Sequence, residues 1–296
     1  MTISRRALHA GLLASAAAAA ISGRAQAQGW KPPPGATDSH AHVFKRGLPL
    51  AHARRYASDY DATPEDYIKQ LDANGISRGV LVQPSFLGTD NSYMLGGLRQ
   101  FSDRLRGIAV VEPTISRDEL RDLDKAGVVG IRLNLIGKSD PPLDAEPWPQ
   151  LLKALTDLDW QVEIQAEGHR WPALLAPLLK SGVKVVADHF GKPDPARGVD
   201  DPGFRHLLDQ GKSGRVWVKL SGSYRNGAGL PAAAIPLLRN AFGLERLVWG
   251  SDWPHTQFEK VADYAKVLAE LGTWLPDENE RRTVLVESPS KLFRFT

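Results

Sequence analysis

The 296-residue chain contains no cysteine. That excludes disulfides, thiolate metal sites and a cysteine nucleophile, and it leaves histidine and carboxylate chemistry standing. Runs of like charge are also missing: 37 Lys and Arg are interleaved with 34 Asp and Glu for a net charge of +3, so no basic stripe tracks a phosphate backbone and nucleic acid is not an expected partner. No Gly-x-Gly-x-x-Gly turn follows a strand-like run, which argues against a dinucleotide-binding sheet. No apolar run reaches the roughly 20 residues needed to cross a bilayer, so the mature chain is not expected to enter a membrane. What is present, 42% hydrophobic and 24% charged residues, suits one large globular unit with a sizeable core.

The first residues read as a targeting segment. Ser4-Arg5-Arg6-Ala7-Leu8 pairs two arginines, Gly11 to Ile21 is a short Ala/Leu-rich run, and Ala25-Gln26-Ala27 offers small residues for cleavage. Residues 1–27 resemble a bacterial twin-arginine export signal, which predicts a mature chain of residues 28–296 in the periplasm.

After the proline-rich Lys31-Pro32-Pro33-Pro34-Gly35, short apolar runs alternate with amphipathic ones. Thr63-Pro64-Glu65-Asp66 carries an N-cap, a proline at the first helical position and acids in the first turn, predicting a helix to Asn74 that stops at Gly75. Ser116-Arg117-Asp118-Glu119 has capping-box form. Strands are predicted ending near His42 and over 79–83, 107–111, 128–133, 161–166, 183–187, 215–220 and 246–250, each followed by a helical segment. The later helices are predicted over 148–158, 171–180, 204–210, 232–242 and 260–271, with a last one from Pro276. Eight such units predict a parallel sheet closed into a single-domain (β/α)8 TIM barrel, with an open doubly wound sheet as the alternative.

In such a barrel the functional groups gather at the C-terminal ends of the strands. His40 and His42, two residues apart on the first strand, project to one face and can share a metal ion or polarise one substrate oxygen. The second strand leads to Ser85, the fourth to Arg132 and Asn134, and the fifth to Gln165 and Glu167. The sixth ends at His189 with Lys192 beyond, the seventh at Ser221 with Arg225 beyond, and the eighth at Asp252 with His255. Any one of these is ordinary at a strand end, but their coincidence is what a site built on eight strands looks like.

His-x-His on the first strand, His189 on the sixth and Asp252 on the eighth resemble the amidohydrolase superfamily. More closely, Val82-Gln83-Pro84-Ser85 with Gly88-Thr89-Asp90-Asn91, Gly130-Ile131-Arg132-Leu133-Asn134, Asp188-His189-Phe190-Gly191-Lys192-Pro193-Asp194 and Gly250-Ser251-Asp252-Trp253-Pro254-His255 are similar to lactonases that open 2-pyrone-4,6-dicarboxylate and muconolactone-type rings in aromatic-compound degradation. The resemblance implies that Asp252 is the general base for an attacking water, and that His40, His42 and His189 surround the lactone carbonyl and stabilise its oxyanion, directly or through a metal. It further implies that Arg132, Ser85, Arg225 and Tyr56 hold the anionic groups of the substrate.

His40, His42, His189 and Asp252 have the composition of a mononuclear zinc site, so one zinc ion per chain and metal-free catalysis both stay open. The fourth strand ends in Arg132 and Asn134 rather than a lysine that could be carboxylated, which argues against a binuclear centre. Three anion-pocket positions that the dicarboxylate lactonases fill with tyrosine, arginine and arginine are here Gln165, Lys138 and Lys192. Lysine attracts an anion without the planar fork that fixes a flat carboxylate, so a tetrahedral sulfonate, as in 4-sulfomuconolactone, is the expected substrate group. Two other readings are a zinc-dependent decarboxylase on the same barrel and an inactive periplasmic binding protein.

Overall fold

Alternation along the chain becomes a barrel because each strand is apolar toward the helices on one face and mixed on the other. The computed structural model describes residues 29–227 and 229–295; the export segment expected at residues 1–27 lies outside the described residues. Among the described residues the strands are β1 (Thr37–Ala41), β2 (Arg78–Val82), β3 (Leu105–Ala109), β4 (Val128–Asn134), β5 (Gln161–Gln165), β6 (Lys184–Ala187), β7 (Val216–Leu220) and β8 (Leu247–Trp249). Neighbours pair in parallel in the order β1 to β8.

Between and after them run α1 (Pro64–Ala73), α2 (Ser92–Gln100), α3 (Arg117–Lys125), α4 (Trp148–Asp157), α5 (Trp171–Ser181), α6 (Pro202–Asp209), α7 (Leu230–Phe242) and α8 (Tyr264–Trp274). Their starts are chemically marked. The Thr63 side chain accepts from Asp66 N at α1, Ser116 and Glu119 close a reciprocal capping box at α3, and Asp263 caps α8. Gly182, at φ 83°, ends α5 in the left-handed conformation that favours glycine.

The first and last strands meet through the segment after β8. Ala41 bridges Trp253 in parallel, His42 N donates to Trp253 O at 2.8 Å, and Asp252 N donates to His40 O at 2.8 Å. The buried Asp38 carboxylate braces this seam, accepting from Ser251 N at 2.8 Å, Ser251 Oγ at 2.6 Å and Tyr264 Oη at 3.0 Å. Gly250 is required there, since a Cβ would lie 2.6 Å from His40 Cβ.

Leu81, Ile131, Val162, Ile164, Val185, Val218, Leu220 and Trp249 face outward into the layer shared with the helices. Inside the barrel, Val80, Ile108, Val129, Val186, Trp217 and Val248 pack with Leu292, Phe293 and Phe295 of the C-terminal segment. Phe295 lies under Arg78 and Arg106 at the strand starts, so that segment plugs the lower end of the barrel. The upper end is left to polar side chains.

Candidate active site

The strand ends converge on a cavity of about 200 Å³ lined by His42, Arg55, Tyr56, Ser85, Arg132, Gln165, His189, Lys192, Arg225 and Asp252, with Pro84, Phe86, Ile136 and 256–258 completing the wall. His40 lies just beneath it, fully buried. The His40 ring is centred 4.9 Å from both the His42 and the His189 rings, so the three imidazoles expected from sequence form one cluster. Asp252 Oδ1 is 3.8 Å from His40 Nε2 and 3.7 Å from His42 Nε2.

The other oxygen of Asp252 is committed elsewhere. Oδ2 accepts from Tyr224 Oη and from Arg225 Nε, each at 2.6 Å. Burial alone would raise the Asp252 carboxyl, but the Arg225 guanidinium reverses that and holds it well below the usual carboxylate range. The group is therefore ionised at any ordinary pH.

Burial acts in the opposite sense on the imidazoles. It pushes His42 down to about 3 and His189 down to about 4, and it takes His40 well below the ordinary value, so all three are neutral. Their outward nitrogens are oriented from behind. His42 Nδ1 donates to Val82 O at 2.6 Å, and His189 Nδ1 pairs with Ser221 Oγ at 2.8 Å. At both rings this turns Nε2 toward the centre, the arrangement that metal-binding histidines adopt. His40, His189 and Asp252 each offer a donor atom, all within 4.8 Å of one another. Neutral imidazoles, an ionised carboxylate and this spacing fit a single divalent ion.

Two of these residues sit on unusual backbone. His189 has φ 52° and Asp252 φ 60°, left-handed conformations costing non-glycine residues roughly 1–2 kcal/mol. His189 lies two residues past β6 and Asp252 three past β8, where the reversal aims the side chain into the barrel mouth rather than along the sheet. Gly222, at φ 58°, leaves room for His189 and Arg225: a Cβ there would lie 2.9 Å from His189 Nδ1 and 3.1 Å from Arg225 Cδ.

The anion-binding candidates divide. Arg132 is buried and donates to Gln165 Oε1 at 2.6 Å, with its Nε 3.6 Å from Asp188 Oδ2. Ser85, Tyr56 and Lys192 border the same cavity; burial and the Arg225 guanidinium lower the Lys192 ammonium. Lys138 lines a neighbouring cavity instead, together with Asn134, because the turn after β4 carries it past the rim. Arg225 combines a place on the wall with its bond to Asp252. His255 packs its ring 5.9 Å from Tyr224 behind the site.

Sequence reasoning did not single out Tyr224, Arg55 or the buried charges below the histidines, Glu163, Asp188 and Lys219. For Glu163 and Lys219 a signal existed. In Gln161-Val162-Glu163-Ile164-Gln165 and Val216-Trp217-Val218-Lys219-Leu220 strict alternation puts Glu163 and Lys219 on the inward face. Burial pushes the Glu163 carboxyl up to about 7, while Asp188, which burial alone would raise, is held well below its usual range by Lys219.

Comparison with known proteins sets this geometry in context. Residues 37–295 match the amidohydrolase family. The chain is 31% identical over 274 residues to the 4-sulfomuconolactone hydrolase of Hydrogenophaga intermedia, covering 88% of this chain and 89% of that one. It is 30% identical over 283 residues to the 2-pyrone-4,6-dicarboxylate hydrolase of Comamonas testosteroni, covering 89% and 92%. Among solved structures it resembles a probable 2-pyrone-4,6-dicarboxylic acid hydrolase from Acinetobacter baumannii with citric acid bound, at 40% identity and a TM-score of 0.82, covering 88% of this chain and all of that one.

Proposed function

The chain belongs to the amidohydrolase family, and from that premise we propose that it opens small anionic lactones by Asp252-assisted attack of water. The observation that carries this reading is the division of Asp252: two donors hold Oδ2, while Oδ1 faces the imidazoles. A carboxylate held on one side and open on the other is an oriented base.

In the first step the water oxygen bonds to the acyl carbon and its proton passes to Asp252 Oδ1 as the carbonyl electrons move onto oxygen. An imidazole N–H donates to that oxyanion in a largely buried site, where a hydrogen bond counts for more than in solution. Collapse breaks the bond from the acyl carbon to the ring oxygen, and Asp252 returns its proton to the leaving oxygen. Because the Asp252 carboxyl lies far below the usual range, this return is strongly favoured and the initial abstraction is the harder half. Arg132, Arg225, Lys192, Tyr56 and Ser85 hold the anionic groups of the substrate. One zinc ion held by His40, His189 and Asp252, with His42 Nε2 beside them at 3.7 Å from Asp252 Oδ1, would supply Lewis-acid polarisation of the carbonyl.

The finer substrate is a muconolactone-type ring bearing a sulfonate, 4-sulfomuconolactone, in keeping with a curated relative of that activity and with Lys192 as a point charge on the wall. The test is a pH-stat assay of the purified protein on carboxylated and sulfonated lactones. Hydrolysis releases one proton per turnover and no gas. Release of carbon dioxide from an acid would establish the decarboxylase instead, and tight binding without turnover a binding protein. We assign the mature chain to the periplasm from its twin-arginine-like leader, and appearance in the cytoplasmic fraction alone would overturn that assignment.

A further inference from the structure

Lys219 is fully buried on β7 beneath the histidines, and no step of the hydrolysis uses it. Its Nζ donates to His40 Nδ1 at 3.1 Å and to Glu163 Oε2 at 2.7 Å, and lies 3.2 Å from Asp188 Oδ1. An ammonium donates and never accepts, so the His40 Nδ1 it faces presents a lone pair. A neutral His40 then carries its proton on Nε2.

The rest of the row agrees. His42 Nδ1 faces the Val82 carbonyl, which only accepts, so the proton of His42 is on Nδ1 and its Nε2 is a lone pair. His40 Nε2 and His42 Nε2 are 3.2 Å apart, and one proton fits between them, donated by His40. Donation runs in one direction, from Lys219 to His40 to His42 to Val82. The alternative places the His40 proton on Nδ1 toward Asp188 Oδ1, a longer contact at 3.5 Å. It would also oppose two lone pairs at 3.2 Å and aim a lysine N–H at a ring N–H.

We propose that Lys219 is a positioning residue that fixes His40 as the Nε2–H tautomer, whose proton bonds His42 Nε2 here and turns to the lactone oxygen once substrate is bound, and that the same contact holds down the affinity of the cluster for a divalent metal. A metal at His40 needs the lone pair on Nε2 and the proton on Nδ1, with a carboxylate behind the ring to receive it. Asp188 is in place for that role, and Lys219 competes with it. The catalytic half rests on the hydrolase reading; the tautomer and the metal affinity do not.

The experiment is long-range 1H–15N correlation of the histidine rings in metal-stripped protein, with His40 assigned from a His40→Gln sample. The expected pattern for His40 is Nε2–H; an Nδ1–H pattern in the wild type overturns the proposal. The second arm replaces the pair together, Lys219→Met with Glu163→Leu, so that Glu163 is not left buried without its cation, while Asp188 keeps Arg132 Nε at 3.6 Å. Zinc affinity, measured by competition with a chromophoric chelator, should rise about tenfold or more and His40 should switch to Nδ1–H. Unchanged affinity refutes the metal half. Should the double variant not fold, wild-type protein retaining one equivalent of zinc through gel filtration refutes it equally. Failure to open any lactone would remove the hydrolase reading while leaving both readouts intact.

Discussion

Arg225 Nε lies 2.6 Å from Asp252 Oδ2, on the carboxylate oxygen that turns away from the imidazoles. With the Tyr224 hydroxyl on the same atom, the pair stabilises the charged carboxylate and restricts its rotation. The cost is a weaker base. Under the proposed mechanism the rate then comes from the oxyanion side and from alignment of the water rather than from basicity.

Asp252→Asn should leave the barrel folded, since the amide is nearly isosteric, and should reduce turnover by about 10²- to 10⁴-fold or more by removing the proton acceptor. Circular dichroism together with kcat checks both halves. Near-normal turnover by the folded variant would remove Asp252 from the mechanism.

Tyr224→Phe deletes one of the two donors on Oδ2. A hydrogen bond to a charged group is worth about 1.5–3 kcal/mol, and losing it destabilises the carboxylate relative to its acid. The acidic limb of the kcat/KM profile should therefore move to higher pH, because removing a donor from the charged form raises its pKa. A profile identical to the wild type would show that Tyr224 only fills space.

Stability should fall as the medium is acidified. His42 and His189, lowered by burial to about 3 and about 4, bind fewer protons folded than unfolded once the pH drops below the ordinary histidine value. Their contribution is complete above about pH 6.5 and is lost as the pH falls toward the folded values, by about 2 kcal/mol each near pH 4.5. Urea titrations at pH 7.5 and 4.5 measure it. Replacing His189 by Gln should flatten the dependence; a dependence of equal steepness in that variant would place its origin elsewhere.

On substrate choice, 4-sulfomuconolactone should exceed 2-pyrone-4,6-dicarboxylate in kcat/KM by about tenfold, equivalent to ~1.4 kcal/mol in transition-state binding. The expectation now stands on Lys192 and Gln165, since Lys138 faces the adjoining cavity and Arg55 brings a planar fork to the wall. Arg55→Met should affect the flat dicarboxylate more than the sulfonate, because the fork suits a planar group. A tenfold preference for the pyrone in the wild type would defeat the argument.

Much of this was written in the sequence in a readable form. Capping chemistry located α1 and α3, and the apolar runs located the strands to within two residues at β3, where Arg104 and Arg106 hide a strand start at Leu105. α8 begins at Tyr264 rather than Lys260, since the chain first bends through Phe258 to Ala262 before Asp263 can cap the helix. The histidines and Asp252 were legible because strand ends project to one place. Arg55 and Lys138 were not, because they lie on irregular loops whose direction no periodicity encodes. Tyr224 lies in a tight turn after β7, and its partner is 28 positions away.

The brace at Asp38 ties the beginning of the chain to Ser251, 213 positions later. His40 and His42 thus come early in the chain, and the carboxylate that faces them is supplied by the segment after β8. A chain truncated before the segment after β8 lacks the carboxylate that faces the two imidazoles. The cluster is therefore a signature of closure, present only when β1 and the turn after β8 have met.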